Sequence, residues 1–272
     1  MTRSRHASFA ALLLVTGLAL TSCSSSNSPA ADATAAPTTV VTAPQAPRVG
    51  ACYRLSIAAA LRTTNAGRPV DCAGRHTSVT IRVGRIDPVV KGHLLAIDST
   101  RIQRQVAERC TKRVDDHVGG SLETQRLSRI QAVWFSPTLE QSDRGALWYR
   151  CDLVIAGSTR AFAPLPRKTK GLLEGARALD TYGTCGTASP AADGFERVLC
   201  GQRHTWRARA TIALPAGTTY LAKAAGKRAD ATCRDLEIQR SPDSLKLRWS
   251  FEWPTRAQWK TGQRYGLCWT PS

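Results

Sequence analysis

Two histidines stand in matching surroundings, Cys72-x-x-Arg75-His76-Thr77 and Cys200-x-x-Arg203-His204-Thr205. Imidazole transfers protons near neutral pH, but hydrolysis or group transfer would also need a nucleophile or a carboxylate held against the ring. The sequence supplies no such partner: it has no Gly-x-Ser-x-Gly elbow, no His-Glu-x-x-His, no acidic pair repeated beside both histidines and no glycine-rich phosphate loop. His76 and His204 therefore read as structural residues at the start of a strand, and no catalytic residue is assigned. Cys-x-x-Cys spacing, the mark of a zinc knuckle or a thioredoxin-type pair, is also missing. No metal or cofactor site is read.

The thiols find their chemistry in the N-terminus. Arg3, Arg5 and His6 precede an apolar run from Ala7 to Leu20, followed by Leu20-Thr21-Ser22-Cys23. The run is shorter than the about 20 residues of a spanning helix and reads as a lipoprotein export signal over residues 1–22, with Cys23 as the lipidation site. Export places the other eight cysteines in an oxidising compartment, where an even count reads as bridges. Metal binding by the Cys-x3-His pairs would need them reduced. The expected location is the extracytoplasmic face of the plasma membrane, held there by the lipid anchor. Formal charge falls from +18 to +16 when Arg3 and Arg5 leave with the signal, which carries no acid. A basic exported chain does not meet nucleic acid, so anionic lipid headgroups and acidic wall polymers are its plausible counter-charges.

The elements around these residues occur twice. Gly50, Cys52, Cys72, Cys110, Pro137, Thr138, Gln141, Gly145, Trp148 and Cys151 are matched by Gly183, Cys185, Cys200, Cys233, Pro254, Thr255, Gln258, Gly262, Tyr265 and Cys268, with identical spacing in the closing stretch. The reading is an α+β fold of two duplicated small disulfide-stapled domains, each a small antiparallel sheet with one main helix. They span 48–157 and 181–272, with a Ser/Ala/Thr/Pro tether expected to be disordered at 23–47 and a linker at 158–180. Alternation marks half-buried strands at 78–83 and 206–214, and strands are also expected at 131–135 and 148–155. A helix capped by Asp98 or Ser99 carries Ile102, Val106, Cys110, Val114 and Val118 on one face; Leu221, Ala225, Ala229, Cys233 and Leu236 repeat this less cleanly around Gly226. Four cysteines allow three pairings. Cys110 and Cys151 both face inward, which joins helix to last strand and leaves Cys52 with Cys72. By duplication, Cys185 pairs with Cys200 and Cys233 with Cys268. Parity places Tyr265, Leu267 and Trp269 opposite Cys268, and nothing in the sequence accounts for that.

Tryptophan separates the copies, since Trp206, Trp253 and Trp259 stand where the first copy has Ser78, Ser136 and Ser142. Strand parity puts Trp206 in the core, away from Arg207 and Arg209. Trp253 and Trp259, with Arg256 and Arg264, are the candidate contact residues, for which exposed aromatics beside guanidinium groups are suited. The repeated Cys-x-x-Arg-His, the helix cysteine and the run Trp253-Pro254-Thr255, Trp259, Gly262, Arg264 and Cys268 resemble the septum-formation domain of actinobacterial exported proteins. The resemblance covers nearly everything after residue 48. It implies a role in cell division or the envelope, without an enzymatic activity or ligand, and adds divisome proteins to the candidate partners. The reading is a non-enzymatic binding or scaffolding lipoprotein; the alternative is a wall-polymer hydrolase or transferase using His204.

Overall fold

The structure, a computed structural model, describes residues 42–243 and 245–272; the stretch read as an export signal, Cys23 and the part of the expected tether up to residue 41 lie outside the described residues. In the first half the chain runs β1 (Cys52–Tyr53), α1 (Ile57–Ala60), β2 (Ser78–Arg85), a small hairpin of β3 (Val89–Val90) and β4 (His93–Leu94), α2 (Thr100–Val118), α3 (Leu122–Leu127), β5 (Ile130–Phe135), α4 (Leu139–Asp143) and β6 (Trp148–Ile155). The sheet is antiparallel with the order β1-β2-β6-β5. α2 lies on it because Ile102, Val106, Cys110, Val114 and Val118 recur every four residues and form one buried stripe. Ser99 is the N-cap, but its side chain makes no capping bond. Gly119 and Gly120 leave the helix at φ +70 and +76, where a Cβ would strike Glu174 or the Leu173 carbonyl, so glycine alone makes this turn.

The second half follows as α5 (Ala178–Tyr182), β7 (Thr184–Gly186), β8 (Arg197–Leu199), β9 (Trp206–Ala213), α6 (Lys223–Arg240), β10 (Ser250–Glu252), α7 (Arg256–Lys260) and β11 (Tyr265–Pro271). Its antiparallel order is β10-β11-β9-β7-β8, which without β8 is the order of the first sheet. The registers also agree: Cys52 opposes Val79 as Cys185 opposes Arg207, and Trp134 opposes Cys151 as Phe251 opposes Cys268. Each sheet carries a bulge in the same place, with Ile81 the extra residue of β2 and Arg209 that of β9. α6 is less apolar than α2, burying only Ala225, Ala229 and Cys233. Leu221, expected on its stripe, lies before the helix at φ +59 and is exposed.

Both faces of the first sheet are covered, which the reading of half-buried strands did not anticipate. Val79 and Ile81 pack toward α2, while Ser78 and Thr80 are fully buried on the other face. There they donate to the buried carboxylate of Asp152 at 2.9 and 2.7 Å. The disulfides are Cys52–Cys72, Cys110–Cys151, Cys185–Cys200 and Cys233–Cys268, with Cα separations of 4.9 to 5.4 Å. The first two are the pairs that the inward-facing argument gives, and the last two are those given by duplication.

No disulfide joins the halves among the described residues, yet they belong to one compact unit. The stretch 158–180, read as a linker, is folded onto the first half. Leu165 and Leu173 are buried against Val114, Val118, Leu153 and Ile155, and their N–H groups donate to the carbonyls of His76 and Val118. Ser128 bridges to Gly183, Arg129 N–H donates to Tyr182 O, and Leu127 enters a core with Ala208 and Trp269. Tyr265, Leu267 and Trp269, the residues opposite Cys268, therefore face the first half: Leu267 and Trp269 pack around Leu127, and Arg126 stacks 4.4 Å from the Tyr265 ring.

Candidate functional site

The repeated Arg-His-Thr motif is a clamp at the start of a strand. His76 Nδ1 lies 2.9 Å from the carbonyl of Gly74, and His204 Nδ1 lies 2.7 Å from that of Gln202, so each ring closes the turn that follows its bridged cysteine. The next residue ties down the first strand: Thr77 Oγ1 donates to Leu55 O and accepts from Leu55 N–H, while Thr205 Oγ1 donates to Thr187 O. His76 is buried and His204 half-buried. Among the described residues neither ring has a carboxylate partner, and no cluster of three or more His, Cys, Asp or Glu is placed to hold a metal.

The closing stretch of the second half builds a different feature. Thr255 caps α7 and accepts from Gln258 N–H, while Gln258 Oε1 accepts from Thr255 N–H, a reciprocal box that fixes the helix directly after Trp253 and Pro254. α7 thereby carries Trp259 back to Trp253, with ring centroids 6.1 Å apart. Tyr220 stands 6.4 and 5.7 Å from these two rings, and Phe251 lies 6.1 Å from Trp253. Arg256 lies over Tyr220 at 5.0 Å and Arg264 over Trp259 at 4.0 Å. Arg264 also donates to the Trp259 carbonyl at 2.7 Å, so it caps the end of α7 as well. The structure thus brings together all four sequence-named residues and adds Tyr220 and Phe251, which the sequence did not single out. The two indoles are half-buried rather than exposed: Trp253 leans on α6 at Gly226, where a Cβ would stand 3.1 Å from its Nε1. Gly226 weakens the stripe of α6 because it makes room for this ring. Trp206 packs around Leu127, and Arg207 pairs with Asp180 at 2.9 Å, outside the cluster.

Each half also buries charge. In the first, Arg150 lies 3.3 Å from Asp152 and stacks on Tyr53 and Phe135 at 4.0 and 4.7 Å. Burial pushes the Asp152 carboxyl above its usual range, against the opposing pull of Arg150 and the two hydroxyls. This group is sealed from solvent and serves the fold. In the second half, Glu252 pairs with Arg197 and accepts from Trp269 Nε1 at 3.0 Å, and burial raises its pKa too.

Between the halves lies a cleft of about 450 Å³, lined by Arg126, Arg129, Arg197, Glu252 and Gln131 and bordered by Trp253. The aromatic cluster and the cleft therefore meet at one ring. Arg129 is 8% exposed; its Nε donates to Ala156 O at 2.5 Å and it has no carboxylate partner among the described residues. The sequence carried no mark of this cleft, because residues far apart in the chain line it and their partners are set by how the halves dock.

No curated protein and no solved structure matches the chain at a significant level. A family model described as septum formation matches residues 49–268, across both halves, and the chain therefore belongs to the septum formation family.

Proposed function

We propose that this member of a family linked to septum formation is a non-enzymatic binding or scaffolding module of the cell envelope, held to the outer face of the plasma membrane by a lipid on Cys23. Its two halves are read as diverged copies of one unit, the second carrying the contact surface. The observation that supports this is the cluster of Tyr220, Trp253 and Trp259 with Arg256 and Arg264 over its rings. Stacked aromatic faces and guanidinium groups together suit an anionic glycan or an acidic protein face. Hydrolysis through His204 lacks such support, since its Nδ1 meets a backbone carbonyl and no acid orients the ring among the described residues.

The test compares Trp259→Ala with Trp253→Ala for retention on isolated envelopes and for thermal midpoint. Trp253 fills space beside Gly226, so its truncation should lower the midpoint as a packing loss of about 3 kcal/mol. Trp259→Ala should leave the midpoint nearly unchanged and cut binding about 30-fold, the equivalent of about 2 kcal/mol. Unaltered retention by folded Trp259→Ala would remove the cluster as a contact surface.

A further inference from the structure

Arg129 presents an unresolved problem of charge. It is more than nine-tenths buried, and its backbone is pinned on both sides, by its N–H to Tyr182 O at 2.8 Å and its carbonyl to Ala156 N–H at 2.9 Å. Of the five guanidinium donors, one is used among the described residues, by the carbonyl of Ala156. Its charged neighbour is Arg197, whose own acid, Glu252, is already engaged. Burial, and then Arg197, lower the pKa of Arg129 to about 10. A buried cation without a counter-charge is costly, and the free edge of this one belongs to the wall of the cleft.

The rest of the wall is mixed, with Ile57, Leu61, Val133, Phe162 and Leu267 forming an apolar part and the remainder suited to a polar ligand. Three guanidinium groups and one carboxylate line it, so the cleft is net cationic. The Gln131 amide has no protein partner among the described residues, and Gln258 engages only its Oε1, leaving its NH₂ open. Trp253 supplies an aromatic ring at the edge. A volume of about 450 Å³ lies in the range of small-ligand pockets and admits one or two sugar rings.

We infer that the cleft between the halves binds an acidic saccharide, its carboxylate paired with the free edge of Arg129, its hydroxyls on Gln131 and Gln258, and one ring against Trp253. A planar guanidinium takes a carboxylate bidentately, which supplies the missing counter-charge. The inference rests on the reading of the protein as an envelope-binding module and shares Trp253 with the aromatic surface, but its other residues are separate, since Trp259, Arg256 and Arg264 do not line the cleft.

The experiment titrates the purified protein, at fixed ionic strength, with cellobiouronic acid, with cellobiose and with inorganic phosphate, following heat and the Arg129 Nε–H resonance. The acid should bind at least tenfold more tightly than cellobiose and shift that resonance, and Arg129→Gln should lose at least tenfold in affinity. Arg160→Ala removes an 84% exposed arginine outside the cleft and should change nothing. Should Arg129→Gln fail to fold, Gln131→Ala, at an exposed position, should lower affinity at least threefold. Equal binding of acid and neutral sugar, binding of phosphate alone, equal loss in Arg160→Ala, or full affinity in folded Arg129→Gln or in Gln131→Ala would each overturn the inference. Envelope retention that survives Arg129→Gln but not Trp259→Ala would overturn the cleft and leave the aromatic surface standing.

Discussion

Asp152 and Trp269 occupy the same place in the two sheets, one residue past the bridged cysteine of the last strand, and both are fully buried. Asp152 meets Ser78, Thr80 and Arg150, whereas Trp269 meets Ala208 and Phe195 and sends its N–H to Glu252. The exchange of Ser78 for Trp206 was visible in the sequence, but its meaning was not, because alternation ranks Ser and Thr as solvent-facing and is blind to a buried acid on a neighbouring strand. His117 shows a residue-scale effect that solution measurements can reach. It closes α2, with Nε2 2.9 Å from Thr169 Oγ1 and its carbonyl accepting from Gly171 N–H, and so holds the connecting stretch. The helix end favours a cation there, but burial first, then Arg113 and Lys170, set its pKa below the usual 6.5. The folded protein thus takes this proton less readily than the unfolded chain. The stabilising contribution is complete above the ordinary imidazole value and is lost as pH falls through the window below it. Acidification from neutral to about pH 5 should lower the thermal midpoint more in the wild type than in His117→Gln. Parallel declines in the two proteins would exclude His117 as the source.

At the scale of elements, the shared closing stretch is explained by two copies of one device. Thr138 with Gln141 and Thr255 with Gln258 each form a reciprocal capping box, and Gly145 and Gly262 follow at φ +88 and +100 to turn the chain into the last strand. Thr138→Ala and Thr255→Ala should each cost about 1 kcal/mol in urea unfolding, with Thr→Ser nearly neutral. A loss at one site alone would show that the devices are not equivalent. The helix stripe, the strands and the bridge partners were legible because each is a local period or a facing cysteine. The bulges at Ile81 and Arg209 were not, since an extra residue leaves no compositional trace in a strand whose two faces are both covered.

The whole molecule departs most from its sequence at the joint. Pro164, Pro166 and the basic run Arg167-Lys168-Thr169-Lys170 suggest a free connection, yet Leu165 and Leu173 sit among the core residues of the first half. Tyr265, Leu267 and Trp269 held the clue, as apolar residues on the face away from the bridged helix and therefore in need of a second cover. Cys23 belongs to the same scale, because a lipid there would determine where the whole chain works. Cys23→Ala should move the protein out of the membrane fraction, and undiminished retention would exclude the anchor. The four bridged loops, 52–72, 110–151, 185–200 and 233–268, follow one another along the chain without nesting or overlap. Pulled by its ends, the protein can therefore lengthen only through the stretches outside these loops. Its mechanical extension stops early, at a limit set by covalent bonds rather than by the contacts that fold it.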